Sequence, residues 1–406
     1  MSRIGFFTLP HTGHMYPATA LGRSLVKRGH EVIFFNYITT KAIVRAAGLS
    51  FHPIATPCSQ GMAPPKEFRS NALASRYGLL ASTQLLLKEV PRAIESTNLD
   101  ALVIDQIDFA TGTIAEKFGL PFVNFCLVPP IHLHSSVPPV CFSWKYSRNP
   151  IAMIRNSAGN IALRVFLSPV LSTVNRQRCT WKLPPLRSIN DVFSKRAIIA
   201  QIPEAFDFPS SKCPKQLFYA GPFIDKQGRR AIKFPWERLN GKPLIYASMG
   251  TRRNEDYQVF RTIAEACSGL DAQMVISTGG NPIELGSLAG DPITVNYVPQ
   301  LEIMERANLV ITHAGVNTTM EALSNGVPLV AVPVADDQPG VAARIERVGV
   351  GVAVPFKKVS FANMRNAVRC VLENPEYKAA AGKMQEIIQN VNGLERAADI
   401  VESSLK

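Results

Sequence analysis

The feature that most constrains this fold is an alternation of short apolar runs with helical patterns, which occurs in both halves of the chain. Near the start, an apolar run at residues 4–9 precedes a helical pattern at 18–28 and a second apolar run at 31–36. Strand, helix and strand in that order form a βαβ unit, in which the strands are parallel and the crossover is right-handed. The alternation recurs from residue 101 and again from residue 244. The sequence therefore predicts an α/β protein with parallel sheets.

The length of 406 residues exceeds what one ordinary hydrophobic core serves, so two domains are expected. A turn-rich, basic stretch separates the two alternating patterns and is typical of a linker. We predict an N-terminal Rossmann-like domain over residues 1–222, a linker over 223–242 and a C-terminal Rossmann-like domain over 243–385. A last helix at 386–406 is expected to pack back on the N-terminal domain. Because open parallel sheets bind ligands at the carboxyl ends of their strands, the two domains predict a cleft between them.

The composition favours a folded protein without a membrane span, a disulfide framework or a zinc site. Hydrophobic residues make up 46% of the chain and charged residues 18%, which is typical of a folded protein. No contiguous apolar stretch approaches the roughly 20 residues that span a bilayer, and the first residues lack the long apolar region of a signal peptide. A cytoplasmic location is therefore expected. The seven cysteines are dispersed, which argues against a disulfide framework and against a zinc site.

The net charge of +13 indicates either a solvated basic surface or attraction to an anionic partner. Lysines and arginines cluster between Arg148 and Arg196, in a region that also carries Trp144, Phe166 and Trp181. This combination is compatible with peripheral contact with an anionic membrane surface. No recognisable nucleic-acid-binding module accompanies the charge, so nucleic acid is not expected as a partner.

The most informative segment follows an apolar run at residues 309–312, which predicts a strand that feeds a tight turn and then a helix. The amino end of a helix offers unpaired N–H groups and a positive dipole, both of which favour phosphate. Gly315 lets the backbone approach a diphosphate closely, while Asn317 and Thr318 add side-chain donors. Glu321, one turn further along, is placed to hold a ribose diol. The segment therefore predicts a nucleotide site.

The residues around this segment carry a resemblance to a known family. Tyr297-Val298-Pro299-Gln300, the run at 312–321 and Asp337-Gln338-Pro339 are similar to the donor-binding signature of family 1 UDP-dependent glycosyltransferases. The run at 337–345 resembles in particular the bacterial branch that includes zeaxanthin glucosyltransferases and macrolide glycosyltransferases. The resemblance covers nearly the whole chain. It implies the GT-B fold, in which two Rossmann-like domains face each other across a cleft.

The resemblance also implies a role for individual residues. Tyr297 is expected to stack on uracil, the Val298 backbone to pair with the base edge, and Gln300 and Glu321 to bind the ribose. Donor contacts around the diphosphate are implied for Gly13, Ser248, Gly250, Thr251, His313, Gly315, Asn317 and Thr318. Contacts with the sugar hydroxyls are implied for Asp337 and Gln338. Asp337 and Gln338 favour glucose because together they offer hydrogen-bond partners to equatorial hydroxyls, although other hexoses fit.

The candidate catalytic residues lie near the amino terminus and at the end of a nearby strand. The run Gly13-His14-Met15-Tyr16-Pro17 matches the family pattern Gly-His-x-x-Pro. A histidine held by a carboxylate on one ring nitrogen can act through the other as a general base. We predict His14 as the base and Asp105 as its orienting partner. His11 remains an alternative base, and Asp108 an alternative partner.

These residues predict an inverting transferase that moves a hexose from a UDP-sugar to a hydroxyl group. The UDP-sugar is a co-substrate, UDP-glucose being favoured, and no separate cofactor is expected. No metal is expected either, because the scheme needs none and no Asp-x-Asp pair is apparent. Residues 60–90 and 127–181 are rich in apolar, aromatic and proline residues, which favours a hydrophobic acceptor such as a hydroxylated carotenoid, another lipid alcohol or a polyketide.

Two other functions remain open for such a chain. One is a nucleotide-sugar epimerase of the same fold, against which the Gly-His-x-x-Pro motif argues. The other is a non-catalytic auxiliary subunit of another transferase, in which a degraded donor signature would be expected. An NAD-dependent dehydrogenase is disfavoured because no Gly-x-Gly-x-x-Gly follows the first strand.

Overall fold

The structure is a computed structural model of the chain. It describes residues 1–54, 72–131, 134–210, 212–251, 256–280 and 286–405. Part of the predicted acceptor region, residues 60–71, lies outside the described residues, as does Cys58.

The first half of the chain forms a seven-stranded parallel sheet with the strand order β3-β2-β1-β4-β5-β6-β7. Its strands are β1 Arg3–Phe7, β2 Glu31–Asn36, β3 Ser50–Pro53, β4 Ala101–Asp105, β5 Phe122–Cys126, β6 Ile198–Ala200 and β7 Leu217–Tyr219. Every residue of β4 is buried, as expected for a central strand that helices cover on both faces. The order places β1 and β4 side by side, so the segments that follow them meet at one edge.

The second half forms a six-stranded parallel sheet with the order β10-β9-β8-β11-β12-β13. Its strands are β8 Leu244–Ser248, β9 Gln273–Ser277, β10 Ile293–Val295, β11 Ala307–Thr312, β12 Leu329–Ala331 and β13 Gly351–Ala353. Here β8 and β11 are neighbours, so the loops after them also share one edge. The predicted parallel α/β architecture is therefore confirmed.

Helices cover both sheets. In the first half they are α1 Thr12–Lys27, α2 Lys41–Ala46, α3 Ala72–Glu95, α4 Thr111–Phe118 and α5 Pro150–Thr180. In the second half they are α6 Tyr257–Cys267, α7 Gln300–Met304, α8 Val316–Ser324, α9 Gln338–Arg347, α10 Phe361–Glu373, α11 Pro375–Val391 and α12 Gly393–Leu405. The expectation that the first helix starts at residue 18 was wrong, since α1 begins at Thr12 and runs through Pro17.

The chain crosses back to its first half at the carboxyl terminus. Helix α11 extends to Val391, and α12 then packs on α1. Arg28 on the N-terminal side donates hydrogen bonds to Glu395, Asp399 and Glu402 of α12. The last helix thus ties the end of the chain to the first sheet.

A buried ion pair joins the two halves on the opposite side. Arg344 of α9 and Asp207 pair at 2.7 Å, and both side chains are about 2% exposed. The guanidinium also lies 4.1 Å from the centre of the Phe208 ring. Because breaking a buried pair leaves an uncompensated charge, this contact fixes how α9 sits against the first half.

Candidate active site

The carboxyl ends of the two sheets face each other, and their loops touch. The Thr12 and Thr251 hydroxyls lie 3.0 Å apart, one at the start of α1 and the other after β8. The Gly13 carbonyl accepts a hydrogen bond of 2.6 Å from Asn317 Nδ2, at the start of α8. The predicted catalytic and donor segments therefore meet in one cleft.

His14 lies in the first turn of α1, where its ring meets the end of β4. The distance between His14 Nδ1 and Asp105 Oδ2 is 2.6 Å. Asp105 is fully buried, and it also accepts hydrogen bonds from Thr8 Oγ1 at 2.9 Å and from the Ile107 N–H at 3.1 Å. Because an ionised carboxylate only accepts, it holds the ring proton on Nδ1. Nε2 of His14 is thereby the ring atom that can receive a proton.

The two alternative catalytic residues occupy different places. Asp108 Oδ1 accepts from the N–H groups of Ala110 and Thr111, and Oδ2 accepts from Thr111 Oγ1. These bonds cap the start of α4, and burial raises the pKa of this carboxyl. His11 precedes α1, with its ring centre 6.4 Å from that of His14. The structure thus places Asp105 rather than Asp108 against His14.

Pro17 lies inside α1 and accounts for a contact between this helix and the second half. In a regular helix the N–H of residue 17 would bond to the Gly13 carbonyl, but proline has no N–H. That carbonyl is satisfied instead by Asn317. The other end of the same amide, Asn317 Oδ1, accepts from Gln201 Nε2 at 2.9 Å. Asn317, which the family pattern places at the phosphates, thus joins the two halves through both ends of its amide.

The residues expected to hold the ribose are together. Gln300 Nε2 donates to Glu321 Oε2, and Gln300 Oε1 accepts from the Tyr246 hydroxyl at 3.2 Å. Thr318 Oγ1 lies 3.4 Å from Gln300 Nε2. Glu321 is 2% exposed, so its carboxylate is held in a single place at the base of the cleft.

Arg229 is a site residue that the sequence analysis missed. It lies in the linker, yet Nη2 donates to Glu321 Oε1 at 2.5 Å. Its guanidinium also lies 5.3 Å from the centre of the Tyr16 ring, two residues after His14. The basic residues of the linker suggested only an exposed turn, and no local pattern distinguishes Arg229 from Arg230. The contact depends on how the linker folds over the cleft.

His313 is enclosed by two glycines. A Cβ atom at Gly250 or at Gly315 would come within 2.6 Å of its ring, so the absence of a side chain at these two positions leaves room for the imidazole. Burial lowers the pKa of His313 to about 4. At neutral pH the ring is therefore uncharged, and it has a hydrogen bond with the Ser248 backbone. Ala314 beside it has a positive φ of 65°, which is strained for a residue with a side chain.

The remaining predicted donor residues surround this centre. Tyr297 is 45% exposed and packs over the backbone of Gly280, whereas the Val298 side chain is buried. Ser248 Oγ accepts from the Gly250 N–H at 3.3 Å. Asp337 stands at the amino end of α9.

Gln338, the second residue expected to face the sugar, binds the protein backbone through its side-chain oxygen. Its Oε1 accepts hydrogen bonds from the N–H groups of Val334 and Ala335 at 2.8 and 3.1 Å, and the residue is buried. A contact with a sugar hydroxyl would therefore fall to its amide nitrogen. Next to it, Asp336 accepts from Ser75 Oγ of α3 at 2.8 Å, which brings the acceptor side of the cleft against this turn.

Two models of known protein families match segments of this chain. Residues 190–403, more than half of the chain, match the family model for UDP-glucoronosyl and UDP-glucosyl transferase. The chain belongs to this family. Residues 12–131 of this glycosyltransferase also match the model of the glycosyltransferase family 28 N-terminal domain. The predicted membership of the UDP-dependent glycosyltransferases is confirmed, and with it the prediction that the chain is an enzyme.

Individual relatives span its whole length. The enzyme is 27% identical to a zeaxanthin glucosyltransferase of Pantoea ananas, over 99% of this chain and 96% of that protein. It is 28% identical to the NDP-glycosyltransferase YjiC of Bacillus licheniformis, over 99% of this chain and 97% of that protein. The solved structure of the kitacinnamycin glycosyltransferase superposes with a TM-score of 0.78 at 22% identity, covering 100% and 99% of the two chains. The predicted GT-B fold is therefore confirmed.

Proposed function

We propose that this enzyme transfers glucose from UDP-glucose to a hydroxyl group of a hydrophobic small molecule, with inversion at the anomeric carbon. The observation that carries the proposal is the 2.6 Å contact between His14 Nδ1 and buried Asp105, at the edge where α1 meets the donor segment. The neighbouring Gln300 and Glu321 support a ribose contact, and Asp337 beside Gln338 supports a hexose with equatorial hydroxyls.

The reaction is a direct displacement in which His14 acts as the base. Nε2 takes the proton of the acceptor hydroxyl while the acceptor oxygen forms a bond to the anomeric carbon. The bond from that carbon to the diphosphate oxygen breaks, and its electron pair leaves with UDP. Asp105 stabilises the imidazolium formed at His14. An α-linked donor thereby yields a β-glycoside.

The departing diphosphate gains negative charge, and the site offers two kinds of group for it. The amino end of α8, which begins at Val316, presents N–H groups and the positive end of its dipole. Neutral His313 has one ring N–H, which would donate to a diphosphate oxygen in place of the Ser248 backbone. Donors of this kind stabilise the transition state because they are already oriented before charge develops. The scheme routes no step through a metal ion.

The acceptor proposed is a hydroxylated carotenoid or a lipid alcohol of similar polarity. The likeness to the zeaxanthin glucosyltransferase supports this class. So does the acceptor side of the cleft, where α3 packs on α5 and both helices are rich in apolar residues. A polyketide is the other acceptor class to test.

A donor-by-acceptor screen tests the proposal. UDP-glucose, UDP-galactose and dTDP-glucose are each combined with zeaxanthin in micelles, a long-chain alcohol and a macrolide aglycone, and both released nucleotide and glycoside are measured. We expect turnover with UDP-glucose and zeaxanthin, and a β-linkage in the product by NMR coupling constants. An α-linkage would refute inversion. Nucleotide binding without any turnover would favour the auxiliary function, and conversion of the UDP-sugar alone would favour the epimerase.

The role of His14 is tested separately. His14→Ala should abolish transfer and leave UDP affinity, measured by calorimetry, close to that of the wild type. His11→Ala is the matched control, because this ring lies in the same segment while Asp105 pairs with His14, and it should retain most of the activity. Near-normal turnover by the His14 variant would refute the assignment of the base.

A further inference from the structure

The outer face of α5 carries a continuous ridge of exposed apolar side chains. Ile151, Ile154, Ile161 and Val165 are 79%, 71%, 60% and 65% exposed. With about 100° between successive residues, these four side chains fall within a sector of about 80° on the helix surface. Five of the thirteen large apolar side chains exposed among the described residues lie on this one helix, Met153 being the fifth. The ridge is therefore a concentrated feature rather than the usual scatter of single exposed side chains.

The opposite face of the helix is anchored, so the ridge has a fixed orientation. Asn156 Nδ2 and Asn160 Nδ2 donate to the Ser135 and His134 carbonyls, and both asparagines are buried. Helix α5 also packs along α3. A different rotation of α5 would bury the isoleucines but would move these amides away from the carbonyls that they bind. That is costly, because a buried amide needs its hydrogen-bond partners.

The stretch of chain that carries the ridge has charged residues of one sign only. No Asp or Glu occurs between Glu116 and Asp191, whereas lysines and arginines recur throughout that stretch. On the helical projection Arg155 lies about 80° to one side of the ridge and Arg164 about 100° to the other. The Arg155 guanidinium is 4.9 Å from the centre of the Trp144 ring, and it donates hydrogen bonds to Asn156 Oδ1 and to the Lys145 carbonyl. An apolar strip with cations on both flanks and a tryptophan beside it matches the chemistry of an anionic lipid interface.

We propose that α5 is a docking surface for an anionic membrane, in which the ridge enters the interfacial layer while the positive charge of this segment attracts the lipid headgroups. By length and composition, α5 is the one helix among the described residues that could cross a bilayer. The buried Asn156, Asn160 and Arg178 argue against crossing, because Arg178 pairs with Glu116 of α4 and holds α5 in the fold. The helix therefore lies along the surface rather than through it.

The location of this surface connects it to the cleft. Helix α3, on which α5 packs, contacts the donor-side turn through Ser75 and Asp336. A membrane docked on α5 would thus lie beside the acceptor side of the enzyme. This consequence rests on the proposed function, because an acceptor as apolar as a carotenoid resides in the bilayer. Docking itself does not depend on the acceptor.

Vesicle flotation tests the proposal on the full-length enzyme. The vesicles contain either phosphatidylcholine alone or phosphatidylcholine with roughly one third phosphatidylglycerol, which supplies the negative surface potential. We expect binding to the anionic vesicles, weakened by high salt, and at least a roughly 10-fold lower partition coefficient for the double variant Ile154→Glu, Ile161→Glu. The control is Phe361→Glu, Ile387→Glu, which changes two exposed apolar residues of α10 and α11 and should bind within about 2-fold of the wild type.

The outcomes separate docking from folding and from catalysis. All variants should keep the wild-type melting temperature and the wild-type turnover of a water-soluble phenol, if transfer is found at all. Wild-type enzyme that does not float with anionic vesicles overturns the proposal, whether or not it is an active transferase. Equal flotation of both double variants overturns the assignment to α5. A dimer in light scattering that the α5 variant abolishes, without lipid binding, would show that a second copy of the chain covers the ridge instead.

Discussion

The substitution Asp105→Asn tests the catalytic geometry more sharply than removal of the histidine does. It keeps the size of the side chain but replaces one carboxylate oxygen, which accepts hydrogen bonds, with an NH₂ group, which donates them. In the wild type, Oδ1 accepts from the Ile107 N–H and Oδ2 faces His14 Nδ1 and Thr8 Oγ1. In the variant the amide oxygen stays on the Ile107 N–H, because turning it round would leave a buried N–H without a partner, which costs roughly 1–3 kcal/mol.

The amide NH₂ then faces His14 Nδ1 as a donor. The ring must place its proton on Nε2, the atom that should receive the proton of the acceptor. The base is thus present but in the wrong tautomer. General-base catalysis by a positioned side chain contributes roughly 10²–10⁴-fold, so we expect kcat to fall by about that factor. This equals about 3–5 kcal/mol of transition-state stabilisation.

The assay is steady-state release of UDP with the acceptor saturating, together with calorimetric titration of UDP. We expect kcat to fall while the KM for the donor and the affinity for UDP stay within about 3-fold. Thr8→Val is the matched control, since it removes a neutral hydrogen bond to the same Oδ2 and should cost less than about 10-fold in kcat. An Asp105→Asn enzyme with at least one third of wild-type kcat would refute the tautomer argument.

Two further predictions concern stability and the donor site. Arg229→Ala should lower the free energy of unfolding by roughly 1–3 kcal/mol, because the buried Glu321 carboxylate is left without this partner, which is itself partly exposed. Arg229→Lys should lower it less, and equal urea midpoints for wild type and Arg229→Ala would contradict the pairing. The pKa of His313 is about 4 in the fold and near 6.5 in an unfolded chain, so the unfolded state binds more protons between these values and stability falls as the pH drops from about 6.5 towards 4. Replacing it, in His313→Gln, should reduce the loss of stability between pH 7 and pH 5 by about 1–2 kcal/mol, measured by urea unfolding at both pH values; an unchanged pH dependence would show that His313 is not buried in its neutral form.

The parallel α/β fold and the position of the donor segment were predictable from local signals. The alternation of apolar runs with helical patterns appears within some thirty residues at a time, and strands, turns and helix starts are decided at that range. The approximate place of α8 was therefore expected, together with the phosphate-binding character of its amino end. The family resemblance rests on the same short segments.

Other features needed contacts between residues distant in sequence. The helical pattern was expected to begin at residue 18, from the spacing of its apolar residues. Helix α1 begins at Thr12 instead, and the Gly13 carbonyl, which Pro17 leaves without a helical partner, accepts a hydrogen bond from Asn317, 304 positions away. Similarly, the sequence indicated membrane contact for the region between Arg148 and Arg196, but it did not show that α5 is long and apolar enough to cross a membrane, because arginines interrupt its contiguous apolar runs. Only its packing on α3 decides which side chains form the exposed ridge.

The sequence by itself determined that two parallel-sheet domains bring a histidine motif and a nucleotide motif to one cleft. It left His11 and His14, and Asp105 and Asp108, as open alternatives, because the two residues of each pair lie within a few positions of the end of the same strand. The tertiary structure decided that Asp105 faces His14, since the last residue of β4 points into the cleft whereas Asp108 turns back to cap α4. It also brought the linker arginine onto Glu321. The physical reason is that periodicity fixes the type and order of elements, whereas the pairing of individual side chains depends on the approach of segments that the sequence keeps far apart.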